Sequence, residues 1–262
     1  MKKNYLLLLE YDGTHFYGWQ KQKNKPTVQG AIEEVLNRIF QERIKLIGQG
    51  RIDAGVHALG QTANFLTSSY IPTDSLRKAI NSLLPSSIRV VEVKEVSLKF
   101  HARFSAISRT YLYLLWLEND LPVFLRSFFT LCPFKIKVRD MVEGSKYLLG
   151  RHDFSAFCSG KDLLGNKIRE IYRIEIKKRK KISLPWGSYR GEILEVEIEG
   201  NAFLKQMVRN IVGTLVEVGR GRFLPEKVKE ILISGKRENA GPSLPPQGLF
   251  LKRVRYPETI PL

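Results

Sequence analysis

Asp53 is the side chain in this sequence best surrounded for chemistry. It lies in Gly48-Gln49-Gly50-Arg51-Ile52-Asp53-Ala54-Gly55-Val56-His57-Ala58-Leu59-Gly60-Gln61, with a guanidinium two positions before it and four glycines in the stretch. A carboxylate can act as a nucleophile or move a proton. Dense glycine lets the backbone turn tightly and come close to a ligand. The plain alternative is that Asp-Ala-Gly is a turn in which the aspartate bonds its own backbone. Gly48-Gln49-Gly50 resembles the opening of a dinucleotide loop, but that loop must run straight into a helix. Val56 to Gln61 has no helical period, so the nucleotide reading fails. No second acid stands in the loop to make the carboxylate pair of a hydrolase.

Three other clusters carry chemical potential. Phe16, Tyr17 and Trp19 crowd Gly18 and are followed by Lys21, Lys23 and Lys25. Such interleaving suits bases stacked on rings with cations on phosphates, or simply aromatics anchored in a core. Phe100-His101-Ala102-Arg103-Phe104-Ser105 is a second aromatic and basic junction. Lys177-Lys178-Arg179-Lys180-Lys181 is a charge run, expected at a hairpin tip, where it is either solvated or in contact with phosphate. Arg209 stands within an otherwise apolar helical stripe, which is costly unless the guanidinium is paired or reaches water.

The elements that must position these residues follow from periodicity. Tyr5 to Glu10 reads as a buried strand. Ile44 to Ile47 and Thr62 to Leu66 read as strands on either side of the Asp53 loop, which places that carboxylate between two rigid elements. Thr27 is an N-cap for a helix with Val28, Ile32, Val35, Ile39 and Phe40 on one stripe. Thr73 or Asp74 caps a second helix, with Leu76, Ile80 and Leu83 on its apolar face and Pro85 as its stop. Ile88 to Val93 closes a strand–helix–strand–helix–strand unit. In the second half, Arg109 to Trp116 alternates as a strand, and residues 141–149 read as a helix ending at Gly150. Arg151 to Cys158 reads as a compact loop. Ile168 to Ile176 and Glu192 to Ile198 are strands, Phe203 to Val218 is the strongest helix, and Pro225 to Ile233 is a short one. Leu249 to Val254 is a closing strand. Strands interleaved with two helices in each half imply an α+β protein. It would hold two ferredoxin-like, RRM-like halves and a mostly antiparallel sheet. The subdomains are expected at 1–105, with the Asp53 loop, and 106–262.

The chain has 262 residues and is 43% hydrophobic, enough for a real core and not a disordered composition. Its formal net charge is +17, a field that attracts polyanions, nucleic acid first. No apolar span of membrane length and no basic amphipathic helix is present, so no membrane partner is expected. Cys132 and Cys158 do not form a Cys-x-x-Cys pair and no His-Glu-x-x-His occurs, so no metal site is expected. The apolar run at Tyr5 to Leu9 is too short for a signal peptide, and a cytoplasmic protein is expected.

Several motifs in order resemble the tRNA pseudouridine synthase A family. They are Tyr11-Asp12-Gly13-Thr14 with Gly18-Trp19-Gln20, Thr27-Val28-Gln29-Gly30, and Gly50 to Ala58. Further along stand Phe100 to Ala106 with Arg109 and Tyr111, then His152-Asp153-Phe154, Met207 to Gly213, and Gly248-Leu249. The resemblance spans nearly the whole chain. It implies a homodimer whose subunits carry two such halves with the active cleft between them. It also implies isomerisation of uridine to pseudouridine in the anticodon arm of tRNA, at positions 38 to 40. Asp53 matches the family's essential aspartate, Tyr111 its active-site tyrosine, Arg51 the arginine of base flipping, and Arg209 the aspartate's basic partner. His57 and Arg103 fall in the same motifs and are candidate substrate-binding residues. The reaction breaks N1–C1′, turns the uracil and rejoins it through C5, so neither metal nor small-molecule cofactor is required. Asp53 would attack C1′ or C6, a choice left open. Arg209 would keep its carboxylate charged, and Tyr111 would stack on the flipped base. The family usually has threonine where Ile52 stands. Loss of that hydroxyl costs roughly 1 kcal/mol of hydrogen bonding, while a β-branched side chain of similar shape should preserve the loop. Residues 240–247 also depart from the family's shorter pattern, which leaves their path open.

The rival readings are a non-catalytic RNA-binding protein and a methyltransferase. The latter needs a Gly-rich cofactor loop that opens a helix, and none is found.

Overall fold

The computed structural model describes residues 2–160, 165–185 and 187–257. The elements run β1 (Lys3–Tyr11), α1 (Val28–Phe40), β2 (Ile47–Gly48), β3 (His57–Thr67), α2 (Thr73–Leu83), β4 (Ile88–Val96) and β5 (Ser108–Trp116). They continue with β6 (Thr130–Leu131), α3 (Val138–Lys146), β7 (Gly150–Asp153), β8 (Ile168–Leu184), β9 (Gly187–Gly200), α4 (Met207–Gly219), α5 (Lys227–Ser234) and β10 (Leu249–Arg255). Contacts divide the chain into two compact units, Met1–Arg109 with Phe250–Leu262, and Thr110–Leu249. The expected boundary before Ala106 lies four residues ahead of this division, and the C-terminal segment returns to the first unit.

In the first unit the strands lie in the order β4-β1-β3, with β2 and β10 both on the far side of β3. The β1–β3, β1–β4 and β2–β3 pairs are antiparallel, and β10 runs parallel to β3. This is the ferredoxin-like order with its second strand cut to two residues, since Ile44 to Leu46 take no strand conformation. The shortened strand gives way directly to the Asp53 loop. Thr27 caps α1, its hydroxyl accepting from the Gly30 N–H. The α1 stripe is Val28, Ile32, Val35, Leu36 and Phe40; Ile39 is only half-buried. Phe40 packs on Tyr5 and Phe65 at centroid distances of 6.4 and 5.6 Å. Each fully buried side chain of this size contributes about 1.5–3 kcal/mol. Pro72, not Thr73 or Asp74, stands at the N-cap of α2, whose Leu83 is 37% exposed.

The second unit repeats the pattern, with β5-β9-β8 in the same relative order as β1-β3-β2, β7 on the outer edge of β8 and β6 beside β5. Its core includes the buried stripe of α4 and Leu194, Val196 and Ile198 of β9, these three fully buried. Four sequence expectations need correcting here. The strongest helix begins at Met207, because Gln206 sits at φ 58° in the left-handed region and stops it from reaching back to Phe203. The helix expected over 141–149 runs from Val138 to Lys146 instead. Arg151 to Asp153 is a strand, paired antiparallel with β8 in a register that sets Arg151 opposite Glu170, followed by one 3-10 turn. The run Lys177 to Lys181 lies inside β8 rather than at a tip, because both strands of the hairpin extend well past it.

Candidate active site

The Asp53 loop rests on the segment that joins β1 to α1. Trp19 donates its N–H to the Ile52 carbonyl at 3.1 Å, and Gly55 donates to the Phe16 carbonyl at 3.3 Å. Gly18, at φ 85°, lies so close that a Cβ there would stand 2.4 Å from the Ile52 oxygen. A Cβ on Gly13 would stand 2.0 Å from the Val56 oxygen. These glycines are therefore required by backbone meeting backbone. Trp19 is 3% exposed and its ring covers Gly48. Of the two roles open to these aromatics, Trp19 takes the core one, whereas Tyr17 stays half-exposed beneath the Lys25 ammonium.

Ile52 is buried, so the position before Asp53 is turned into the protein rather than toward solvent. Arg51 and Ala54 point outward and Asp53 is half-buried. His57 is 1% exposed and stacks on Phe250 at 4.8 Å. Its Nδ1 accepts from the Gly13 N–H at 3.0 Å and lies 3.2 Å from an Asp12 carboxylate oxygen. Buried in this way, His57 holds the β1 turn to the Asp53 loop and offers no surface to a ligand. Burial pushes the Asp12 carboxyl up, but hydrogen bonds from the Thr14 hydroxyl and N–H, with His57 and His15 nearby, outweigh it and hold the group below its usual range.

A buried arginine that the sequence motifs included without a role turns out to link the loops. Arg109, 8% exposed, donates Nε to Gln49 Oε1 at 3.0 Å and one terminal nitrogen to the Gln49 carbonyl at 3.4 Å. It also donates to the carbonyls of Arg103 at 2.8 Å and Ala106 at 3.2 Å. The guanidinium fork thus ties the entry of the Asp53 loop to the Phe100–Ala106 turn. Asn64 holds that same turn, accepting from the Ala102 N–H at 2.8 Å. On the turn, Phe104 is 76% exposed, with the Arg103 guanidinium 5.5 Å from its centroid and His101 at 4.4 Å.

The second unit carries the remaining candidates. Tyr111 is 8% exposed and meets Phe203 edge to face at 5.1 Å. Arg209 is half-buried, and its Nε donates to the Leu244 carbonyl at 2.6 Å. That bond anchors residues 240–244 along α4. Their path, left open by the sequence, depends on two glycines: a Cβ on Gly213 would stand 1.8 Å from the Pro242 oxygen, and one on Gly241 2.7 Å from Thr214 Cα. Tyr113 closes the segment by donating to the Pro245 carbonyl at 2.6 Å. Of the cysteines, Cys132 is buried and Cys158 half-buried, and burial pushes the Cys132 thiol up to about 11. Among the described residues no three His, Cys, Asp or Glu side chains converge as a metal set would.

A model of tRNA pseudouridine synthases matches residues 8–105 and 145–257, which includes Asp53 and Arg209. The chain belongs to the tRNA pseudouridine synthase family. It is 41% identical to "tRNA pseudouridine synthase A" of Caldicellulosiruptor saccharolyticus, covering 97% of this chain and 100% of that protein. The Acetivibrio thermocellus protein of the same name is also 41% identical, with the same coverage. That of Bacillus pumilus is 41% identical over 95% of this chain and 97% of its own length. Members of the family are isomerases, so Asp53 belongs to an enzyme of intramolecular rearrangement.

Proposed function

We propose that this chain converts uridine to pseudouridine in the anticodon arm of tRNA, with Asp53 as the nucleophile toward a base flipped out of the stack. The observation that carries the proposal is the loop itself. Backbone bonds and glycine contacts from Gly13 to Trp19 support Ile52 to Val56, with Arg51 exposed and Asp53 half-buried on the loop. A carboxylate held so firmly is suited to meet a substrate that is brought to it.

The chemistry balances without a co-reactant. The N1–C1′ bond breaks, the uracil turns, C5 bonds to C1′, the C5 proton leaves and N1 is protonated. Asp53 attacks C1′ or C6 and is released unchanged at the end. Extrusion of the base costs about a few kcal/mol, for which Arg51 compensates by filling the vacated stack or holding the displaced phosphate. Tyr111 takes the face of the flipped uracil, and Arg209 serves as the cationic partner of the Asp53 carboxylate. Arg103, on its exposed turn, meets RNA. His57 acts as a positioning residue, given its burial. The same reading has the protein act as a cytoplasmic homodimer.

The test is tritium release from C5-labelled uridine in an anticodon-arm transcript, with tRNA retention on filters measured in parallel. Wild type is expected to release tritium. Asp53→Asn is expected to bind the RNA and release none. Binding by wild type without release would point to a non-catalytic RNA-binding protein and overturn the proposal.

A further inference from the structure

The charge run in β8 is not uniform once its partners are placed. Lys177 pairs with Glu175 at 2.7 Å, Lys178 with Glu192 at 2.8 Å, and Arg179 with Glu195 at 2.7 Å. Those cations are neutralised within the hairpin. Lys180 and Lys181 have no ion pair among the described residues, and both are exposed. The register explains why. Between the pairs Arg179↔Ile193 and Lys181↔Arg190 a bulge sets Gly191 and Glu192 against Lys180 alone. Beyond it Lys181 directly faces Arg190, another exposed cation without an ion pair among the described residues. From Lys180 to Gly191 the sequence has no Asp or Glu; Glu192, in the bulge opposite Lys180, is engaged by Lys178, and Glu195, Glu197 and Glu199 lie beyond it.

Like charges directly opposed across a strand pair destabilise it, so Lys181 and Arg190 contribute nothing to the hairpin that holds them. A local rule broken without structural gain marks a site of function. The outer hairpin is held in place from its other side chains instead. Ile182, Leu184 and Tyr189 pack on the cluster of Trp116, Leu125, Phe129 and Ile193, and a Cβ on Gly191 would stand 2.3 Å from the Trp116 ring. A bulge on a packed base thus presents three exposed cations that make no ion pair among the described residues.

We infer that Lys180, Lys181 and Arg190 form a phosphate-binding cluster that grips the RNA backbone, and that Lys177 to Arg179 do not take part. This rests on the reading of the chain as a tRNA-modifying enzyme and narrows its contact surface to the residues that the register leaves unpaired. Contacts of this kind position an RNA without reading its sequence.

The experiment measures tRNA dissociation constants across a series of KCl concentrations for three proteins. They are wild type, K180Q/K181Q/R190Q, and the charge-balanced control K178Q/R179Q/E192Q/E195Q. Each neutralised phosphate contact contributes roughly 0.7–0.9 to the slope of log K against log salt, so the cluster variant should flatten the slope by about 2–3 while the control keeps the wild-type slope. The cluster variant should also melt no lower than wild type, since it removes facing like charges. An unchanged slope in the cluster variant, or equal flattening in both variants, would overturn the inference. So would loss of binding to anionic phospholipid vesicles with tRNA binding intact, which would assign the cluster to a membrane surface. Because the slope is read from binding, it decides the cluster's role even if wild type shows no tritium release, an outcome that would count against the proposed reaction alone.

Discussion

Arg109 shows how much one buried side chain can decide. Its fork serves three carbonyls and an amide oxygen on two different loops, Gln49 on one side and Arg103 with Ala106 on the other. Lysine keeps the charge but offers a point ammonium in place of a planar fork. Arg109→Lys is therefore expected to cost about 2–4 kcal/mol of stability, from carbonyls left without donors. It should lower kcat roughly 10- to 100-fold by loosening the Asp53 loop, with a smaller change in KM. Chemical denaturation and steady-state kinetics on the same preparation would check both. Equal kinetics for Arg109→Lys and wild type would mean that the Asp53 loop holds its shape without the fork. The sequence marks Arg109 only as part of a motif. Nothing in its neighbours along the chain indicates that it is buried, because its partners lie at Gln49 and Arg103.

At the scale of elements, α4 and the segment alongside it form one device. Gly213 and Gly241 let backbone touch backbone, and the Leu244 carbonyl reached in this way holds Arg209. Gly213→Ala places a methyl carbon where the Pro242 oxygen now stands, so residues 240–244 must move off the helix. The expected cost is about 1–3 kcal/mol, the range for overpacking. Activity should fall further than folding does, because the arginine loses its acceptor along with its neighbours. A thermal melt beside a tritium-release assay separates the two effects. If both fall in proportion, the segment serves stability alone. The hairpin of β8 and β9 teaches a related lesson, since a one-residue change in register decides which lysines are neutralised and which remain available.

At the scale of the whole molecule the net charge of +17 acts in two directions. Self-repulsion of so many cations opposes compaction, while the same field draws in a polyanion. Raising KCl from about 50 to 200 mM screens both effects. The melting temperature is expected to rise while tRNA affinity falls, opposite signs under one change of buffer. A melting temperature that falls with salt would show that the surface ion pairs, such as Arg179 with Glu195, outweigh the excess charge.

Much of this protein was legible in its sequence. Thr27 as a cap, the stripe of α1, the alternation of β5 and the Asp53 loop between strands all follow from contacts at short range, where residue type and spacing carry the physics. The motifs around Asp53 and Arg209 likewise announced the family, because tight backbone contact and reaction chemistry admit few residues. What the sequence did not determine was set by partners far along the chain. The antiparallel pairing of β7 with β8 turned an expected loop into a strand. The burial of Trp19 and His57 made core residues of two side chains that composition alone left free to meet RNA. The lysine run of β8 was divided by carboxylates that register, not proximity in sequence, brought alongside it. Chemistry-bearing residue types are written locally, but burial, pairing and neutralisation are properties of neighbours in space, and only the tertiary structure supplies those.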